Sequence, residues 1–155
     1  MQIHLHPTRR EALTASYKAI TRWSLETNPA TILTQIVHPP ESVRLLWSNS
    51  ESISPSPDGQ LFAHEDPTPN LADPRVVAWR NWDDLSIVRK AVLPNTTLGI
   101  FSLASSPDGR WLVIGPWAGR IFLLDWHTGE ISSHHAIAGI ATGDEDEEVE
   151  GDEEI

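Results

Sequence analysis

The sequence predicts an all-β chain built from repeated units of short antiparallel strands, and three observations carry that reading. The tetrapeptide Ser-Pro-Asp-Gly stands at Ser56 to Gly59 and again at Ser106 to Gly109, 50 residues apart. After each copy come two short apolar strands, and in one of them, Ile121 to Trp126, both pleat faces are largely apolar, the pattern of a strand covered on two sides rather than one. Among 155 residues, 12 Pro, 9 Gly and 7 Trp break the chain into many short elements instead of a few long ones.

Taken in order, the first twenty residues admit two readings. Thr8-Arg9-Arg10-Glu11 matches a helix capping box, with Leu13, Tyr17 and Ile20 at helical spacing. A strand from Ser16 to Ile20 running into Trp23 fits equally, and we favour it because the repeat register is the longer-range constraint. Trp23-Ser24-Leu25-Glu26-Thr27-Asn28 reads like Leu124-Asp125-Trp126-His127-Thr128-Gly129, so residues 1–51 are expected to hold a partial unit. Residues 52–98 form the first full unit. Its strands are Gln60 to His64 and Val76 to Arg80, ending in the turn Trp82-Asp83-Asp84. Residues 99–143 form the second, with strands Arg110 to Gly115 and Arg120 to Trp126.

Laying Leu124 over Trp79 places that landmark 20 residues after Gly59 and 15 after Gly109. The five extra residues fall in the Pro-rich stretch Asp66 to Arg75, as insertions do when confined to a surface loop. Units of about 40 to 50 residues with four short strands have the size of propeller blades. The turns have a physical basis. Pro57 and Pro107 pre-set φ, Asp58 and Asp108 suit the next position, and Gly59 and Gly109 accept the left-handed conformation that closes a tight turn. Thr128 and Gly129 close the later turn in the same way. These carboxylates are structural, not catalytic.

The Ser-Pro-Asp-Gly hairpins, together with Leu124-Asp125-Trp126-His127-Thr128-Gly129-Glu130, resemble the WD-repeat (tryptophan-aspartate) β-propeller family over roughly Ser52 to Ile137, with a partial match near Ile20 to His38. Leu124-Asp125 stands where the family has its Trp-Asp pair, while Trp23-Ser24 and Trp79-Arg80 keep the Trp and lose the Asp. No Gly-His pair precedes either repeat, and Pro116-Trp117-Ala118-Gly119 lacks the usual turn Asp, so the family's buried hydrogen-bond tetrad is not assembled. The resemblance implies an incomplete β-propeller of about two four-stranded antiparallel blades plus a partial N-terminal blade, with a disordered acidic tail.

That tail, residues 144–155, has nine acidic positions among the eleven from Asp144 to Glu154. A run of like charge repels itself and buries no apolar area, so disorder is expected; it is either a solubilising run or an acidic arm for a basic partner. The chain carries 11 Lys and Arg against 22 Asp and Glu, a net charge of −11, which argues against a nucleic-acid partner. The absence of Cys removes disulfides, thiolate metal sites and cysteine nucleophiles. No apolar run approaches the roughly 18 residues of a membrane helix, and the first residues fit no signal peptide, so a cytoplasmic chain without a membrane partner is expected.

Chemistry is sparse. Neither a nucleophile elbow nor a phosphate-cradling Gly loop is present. Adjacent His134 and His135 point to opposite faces of a strand, and His4 and His6 share a face close to the start of the sequence, so no cofactor or metal is expected. Trp23, Trp79, Trp111 and Trp126 read as blade packing. Trp117 lies in a connection equivalent to the Asp66 to Arg75 loop of the neighbouring unit. With Asp66, Asn70, Asp73 and Arg75 it forms the candidate contact surface.

Two blades would leave two broad apolar faces uncovered. Self-association, docking on another propeller, or continuation in a longer product would cover them. The expected function is non-enzymatic protein–protein contact or scaffolding through exposed blade faces. The alternative is a regulatory propeller portion accompanying a hydrolase or kinase encoded elsewhere.

Overall fold

Each residue of Ser-Pro-Asp-Gly has a separate task in closing a hairpin. The Ser56 hydroxyl donates to Asp58 Oδ1, and that carboxylate also accepts the Gln60 amide at 3.0 Å. Ser106, Asp108 and the Arg110 amide repeat the arrangement. The same hydroxyls accept the Leu61 and Trp111 amides, which lead the following strands. Gly59 and Gly109 sit at φ +72° and +70°, a region that costs any L side chain energy.

These hairpins belong to a set of three. The computed structural model describes residues 2–16, 18–38, 52–66, 73–96, 99–116 and 120–136. Among them the chain forms strands β1 (Gln2–Leu5), β2 (Glu11–Ala15), β3 (Ala19–Ser24), β4 (Thr31–Val37), β5 (Ile53–Pro55) and β6 (Leu61–Asp66). Strands β7 (Val76–Asn81), β8 (Ile87–Val92), β9 (Ile100–Ser105), β10 (Trp111–Pro116), β11 (Arg120–Asp125) and β12 (Ile131–Ala136) complete the set. They make three four-stranded antiparallel sheets, each a simple meander in chain order. No helix occurs among the described residues. The acidic stretch 144–155 lies outside them.

The first sheet corrects the expectation of a partial unit, because it has all four strands. Its opening hairpin carries no Ser-Pro-Asp-Gly. His6 takes the place of the serine, its amide bonding the Glu11 carbonyl as Ser56 bonds Leu61 and Ser106 bonds Trp111. Its imidazole Nδ1 accepts the amides of Thr8 and Arg9 at 3.1 and 3.0 Å. Those bonds hold residues 8–10 as a turn, and Glu11 opens β2 instead of capping a helix.

Strand register also moves one landmark. The ladders bulge between Arg22 and Trp23, Trp79 and Arg80, and Leu123 and Leu124. Trp23 and Leu124 therefore correspond, as expected, but their counterpart in the middle sheet is Arg80 rather than Trp79. The bulge is common to all three sheets, so the odd residue lies between β6 and β7, where the extra length is one residue greater than the five expected from sequence.

Successive residues of a strand face opposite ways, and in the middle sheet both ways lead to a core. Phe62 packs with Leu13, Ala15, Ile20, Ile53, Trp82 and Leu85 between the first and second sheets. Its neighbour Ala63 packs with Val77, Trp79, Leu93, Leu112, Phe122 and Trp126 between the second and third. The first strands are tied laterally. Ser52 Oγ donates to the Phe101 carbonyl at 2.7 Å, Ser54 and Ser105 share a 2.6 Å hydroxyl contact, and the Gln2 side chain accepts the Ile53 amide.

Candidate interaction faces

Two seams show how one sheet of this chain recognises the next. At the first, Glu11 lies between sheets one and two. It accepts Arg22 Nε and Nη2 at 3.0 and 2.9 Å, and its Oε2 accepts the Trp82 indole N–H at 2.9 Å. Arg22 holds its carboxyl below the usual carboxylate range, with the indole adding to the effect. Arg22 also donates to the Asp83 carbonyl, and Arg9 pairs with the Asp83 carboxylate. The His6 ring spans the seam: Nδ1 accepts the two amides, while Nε2 lies 2.9 Å from Arg9 Nε and 3.1 Å from the Gly59 carbonyl of the second sheet. Burial and the adjacent Arg9 keep this imidazole below its ordinary pKa and neutral.

Deeper in that seam, Arg80 donates to His64 Nε2 at 2.8 Å and to the Leu85 carbonyl at 2.7 Å, while its other nitrogen faces Asp66. His64 Nδ1 donates to the Glu65 carbonyl, so this ring is neutral too. Burial, with Arg80 beside it, pushes its pKa down to about 3.

The second seam uses the same positions with other residues. Pro57 stands over Gly109 as Pro7 stands over Gly59. Trp79 and Trp126 meet edge to face with centroids 6.3 Å apart, and Arg89 lies over Trp79 and donates to the Trp126 carbonyl at 3.2 Å. The turn residues do what their types suggested: Asp125 Oδ1 accepts the His127 and Thr128 amides, the Thr128 hydroxyl accepts the Glu130 amide, and Gly129 sits at φ +75°. Trp82, expected in a polar turn, is instead a core residue of the first seam.

Each sheet thus has a forward face toward the next sheet and a rear face toward the previous one. The forward face of the third sheet and the rear face of the first meet no other sheet among the described residues. The register identifies what lies there. Val113 and Ile121 occupy the places of Ala63 and Val77 in the middle sheet; the latter pair are 0% exposed, Val113 is 37% and Ile121 38%. At the other end, Ile3 corresponds to Ile53; Ile53 is 2% exposed and Ile3 59%. Leu5, Ile32 and Val37 lie open on the same rear face, and Trp111 and Leu123 lie partly open on the forward one. Sequence reasoning anticipated uncovered faces but did not place these residues on them. Only the strand register reveals which way each one points.

The loop surface expected from sequence stands differently. Trp117 and Asn70 lie outside the described residues. Asp66 is held by Lys90 and Arg80, and Arg75 is buried beside Glu65 with its backbone bonded to Thr96 and Leu93, so both turn into the sheet. Asp73 is half-buried. No group of three or more His, Cys, Asp or Glu able to hold a metal ion occurs among the described residues. No helix there is long and apolar enough to cross a membrane.

No protein-family model matches the sequence. The chain is similar to the meiotic recombination protein rec14 of Schizosaccharomyces pombe, with 32% identity over 120 residues. The match takes in 76% of this chain and 33% of that protein, so the chain spans about a third of the length of the curated relative it matches.

Proposed function

We propose that this chain is a non-enzymatic, protein-contacting segment of WD-repeat propeller type, and that its contacts are made through the two open sheet faces. The observation that supports this reading is the contrast between equivalent positions. Side chains that the next sheet covers completely in the middle of the stack are open at its two ends. Such faces lower their free energy when covered, by about 25 cal/mol for each Å² of apolar surface removed from water. The fold is compatible with a propeller, whose blades stack face to face in this manner. The likeness to rec14 suggests a recombination setting, but over a third of that protein's length it ranks behind the contact reading.

The test is site-specific photo-crosslinking in the cells that make this chain, with a photoreactive residue at 121 or at 32 and a control at Thr27 in the exposed turn. Protein adducts at 121 and 32, absent at 27, are expected. No adduct at either face removes the reading.

A further inference from the structure

Resting on that reading, we propose that the occupant of both open faces is a second copy of this chain. The forward face of the third sheet docks on the rear face of the partner's first sheet, and the reciprocal pair does the same. The argument comes from continuity with the two seams already inside the chain. In both, a forward face carrying small or branched apolar residues on its second and third strands meets a rear face: Leu13 and Ile20 meet the side of Phe62, and Ala63 and Val77 meet the side of Leu112 and Phe122. The surface that fits Val113 and Ile121 is therefore another rear face. Among the described residues one rear face is open, that of the first sheet.

That rear face is ready to lose water. The Trp23 indole donates to the Thr14 hydroxyl at 2.9 Å, and the Gln35 amide donates to the Thr21 hydroxyl at 2.8 Å. These bonds already satisfy the Trp23 indole N–H and one Gln35 N–H, so covering the face strands neither, and Ile3, Leu5, Ile32 and Val37 around them supply the apolar area. A forward-to-rear contact joins unlike surfaces, and contacts of that kind either close into a ring or grow without limit. Two copies bring six sheets, within the range of about four to eight over which propellers close.

The experiment is light scattering with size-exclusion chromatography on the full chain, alone and with Ile121→Lys or Ile32→Lys. Both positions are exposed in the single copy, so the fold is expected to survive, with circular dichroism as the check. Val113→Lys and Leu5→Lys provide a second pair. The unsubstituted chain should run at twice its monomer mass. Each variant should raise the dimer dissociation constant at least about tenfold, because a lysine would be buried without a partner. An equimolar mixture of the two variants should recover dimer, since one forward face and one rear face remain intact between them. A wild-type monomer, a concentration-dependent series of larger species, or a mixture that stays monomeric overturns the inference. Crosslinks from 121 and 32 to a different protein would sink the second copy and leave the contact reading standing; the absence of adducts would sink both.

Discussion

Gly59 and Gly109 share a turn sequence and a left-handed φ but differ in what stands over them. A Cβ on Gly109 would meet only Pro57, at 3.6 Å, whereas one on Gly59 would lie 2.6 Å from His6 Nε2 and 2.9 Å from Pro7. Gly109→Ala should therefore cost about 1–2 kcal/mol, the left-handed penalty alone. Gly59→Ala should cost about 1–3 kcal/mol more, because it also pushes His6 off the seam. Urea unfolding of the two variants measures the gap, and equal losses would mean that His6 yields freely. Leu85 shows the opposite balance at the place Gly129 holds in the third sheet. It sits at φ 61° and is fully buried. Burying a leucine is worth about 1.5–3 kcal/mol, enough to offset about 1–2 kcal/mol of backbone cost. Glycines announce left-handed positions in a sequence; a leucine held there by packing announces nothing, which is why the residue types around Trp82 suggest only a polar turn.

The three hairpins make the same comparison among elements. Two were visible because serine, proline, aspartate and glycine each have one plain role in a tight turn. The third was invisible because an imidazole does the serine's work, and Thr8 to Glu11 mimics a helix cap. Each sheet also bulges where its third strand meets its fourth, with the extra residue, Leu33, Val88 or Ser132, on the fourth strand; periodicity assumes a ladder without insertions and does not show it. Histidines in the first seam give it a pH response. In the unfolded chain His64 titrates near 6.5, while folding pushes it down to about 3, chiefly by burial and then by Arg80. Between those values the unfolded state binds more protons, so the contribution of this group is complete above pH 6.5 and is lost as the pH falls toward 3. His6 acts in the same direction, and Glu11, depressed by Arg22, adds its loss only below the ordinary carboxylate value of 4.5. His64→Gln keeps an acceptor for Arg80 but cannot charge. Its unfolding free energy should fall less steeply between pH 6.5 and 4.5 than that of the parent. Parallel curves would show that His64 does not carry the response.

Stacking makes the middle sheet different in kind from its neighbours, although all three have the same four-strand plan. A run apolar on both pleat faces, Ile121 to Trp126, predicts sheets covered on both sides. The prediction holds fully for β6 and β7, whose central residues are buried on both faces, and only half holds for the outer sheets. What the sequence could not reveal was the count, because the first sheet lacks the repeat's marker residues and is recognised only through its ladders. The energetic consequence follows from burial. Opening β6 or β7 exposes two cores at once, Phe62 and Trp82 on one side and Ala63, Val77 and Trp79 on the other, while fraying β4 exposes chiefly half-buried Ile36. Amide hydrogen exchange of the native chain should therefore be slowest at Phe62 to His64 and Val77 to Trp79, by on the order of tenfold or more relative to β4. Uniform protection across the sheets would mean that they open as one cooperative unit, and the middle sheet would lose its place as the part that holds the other two.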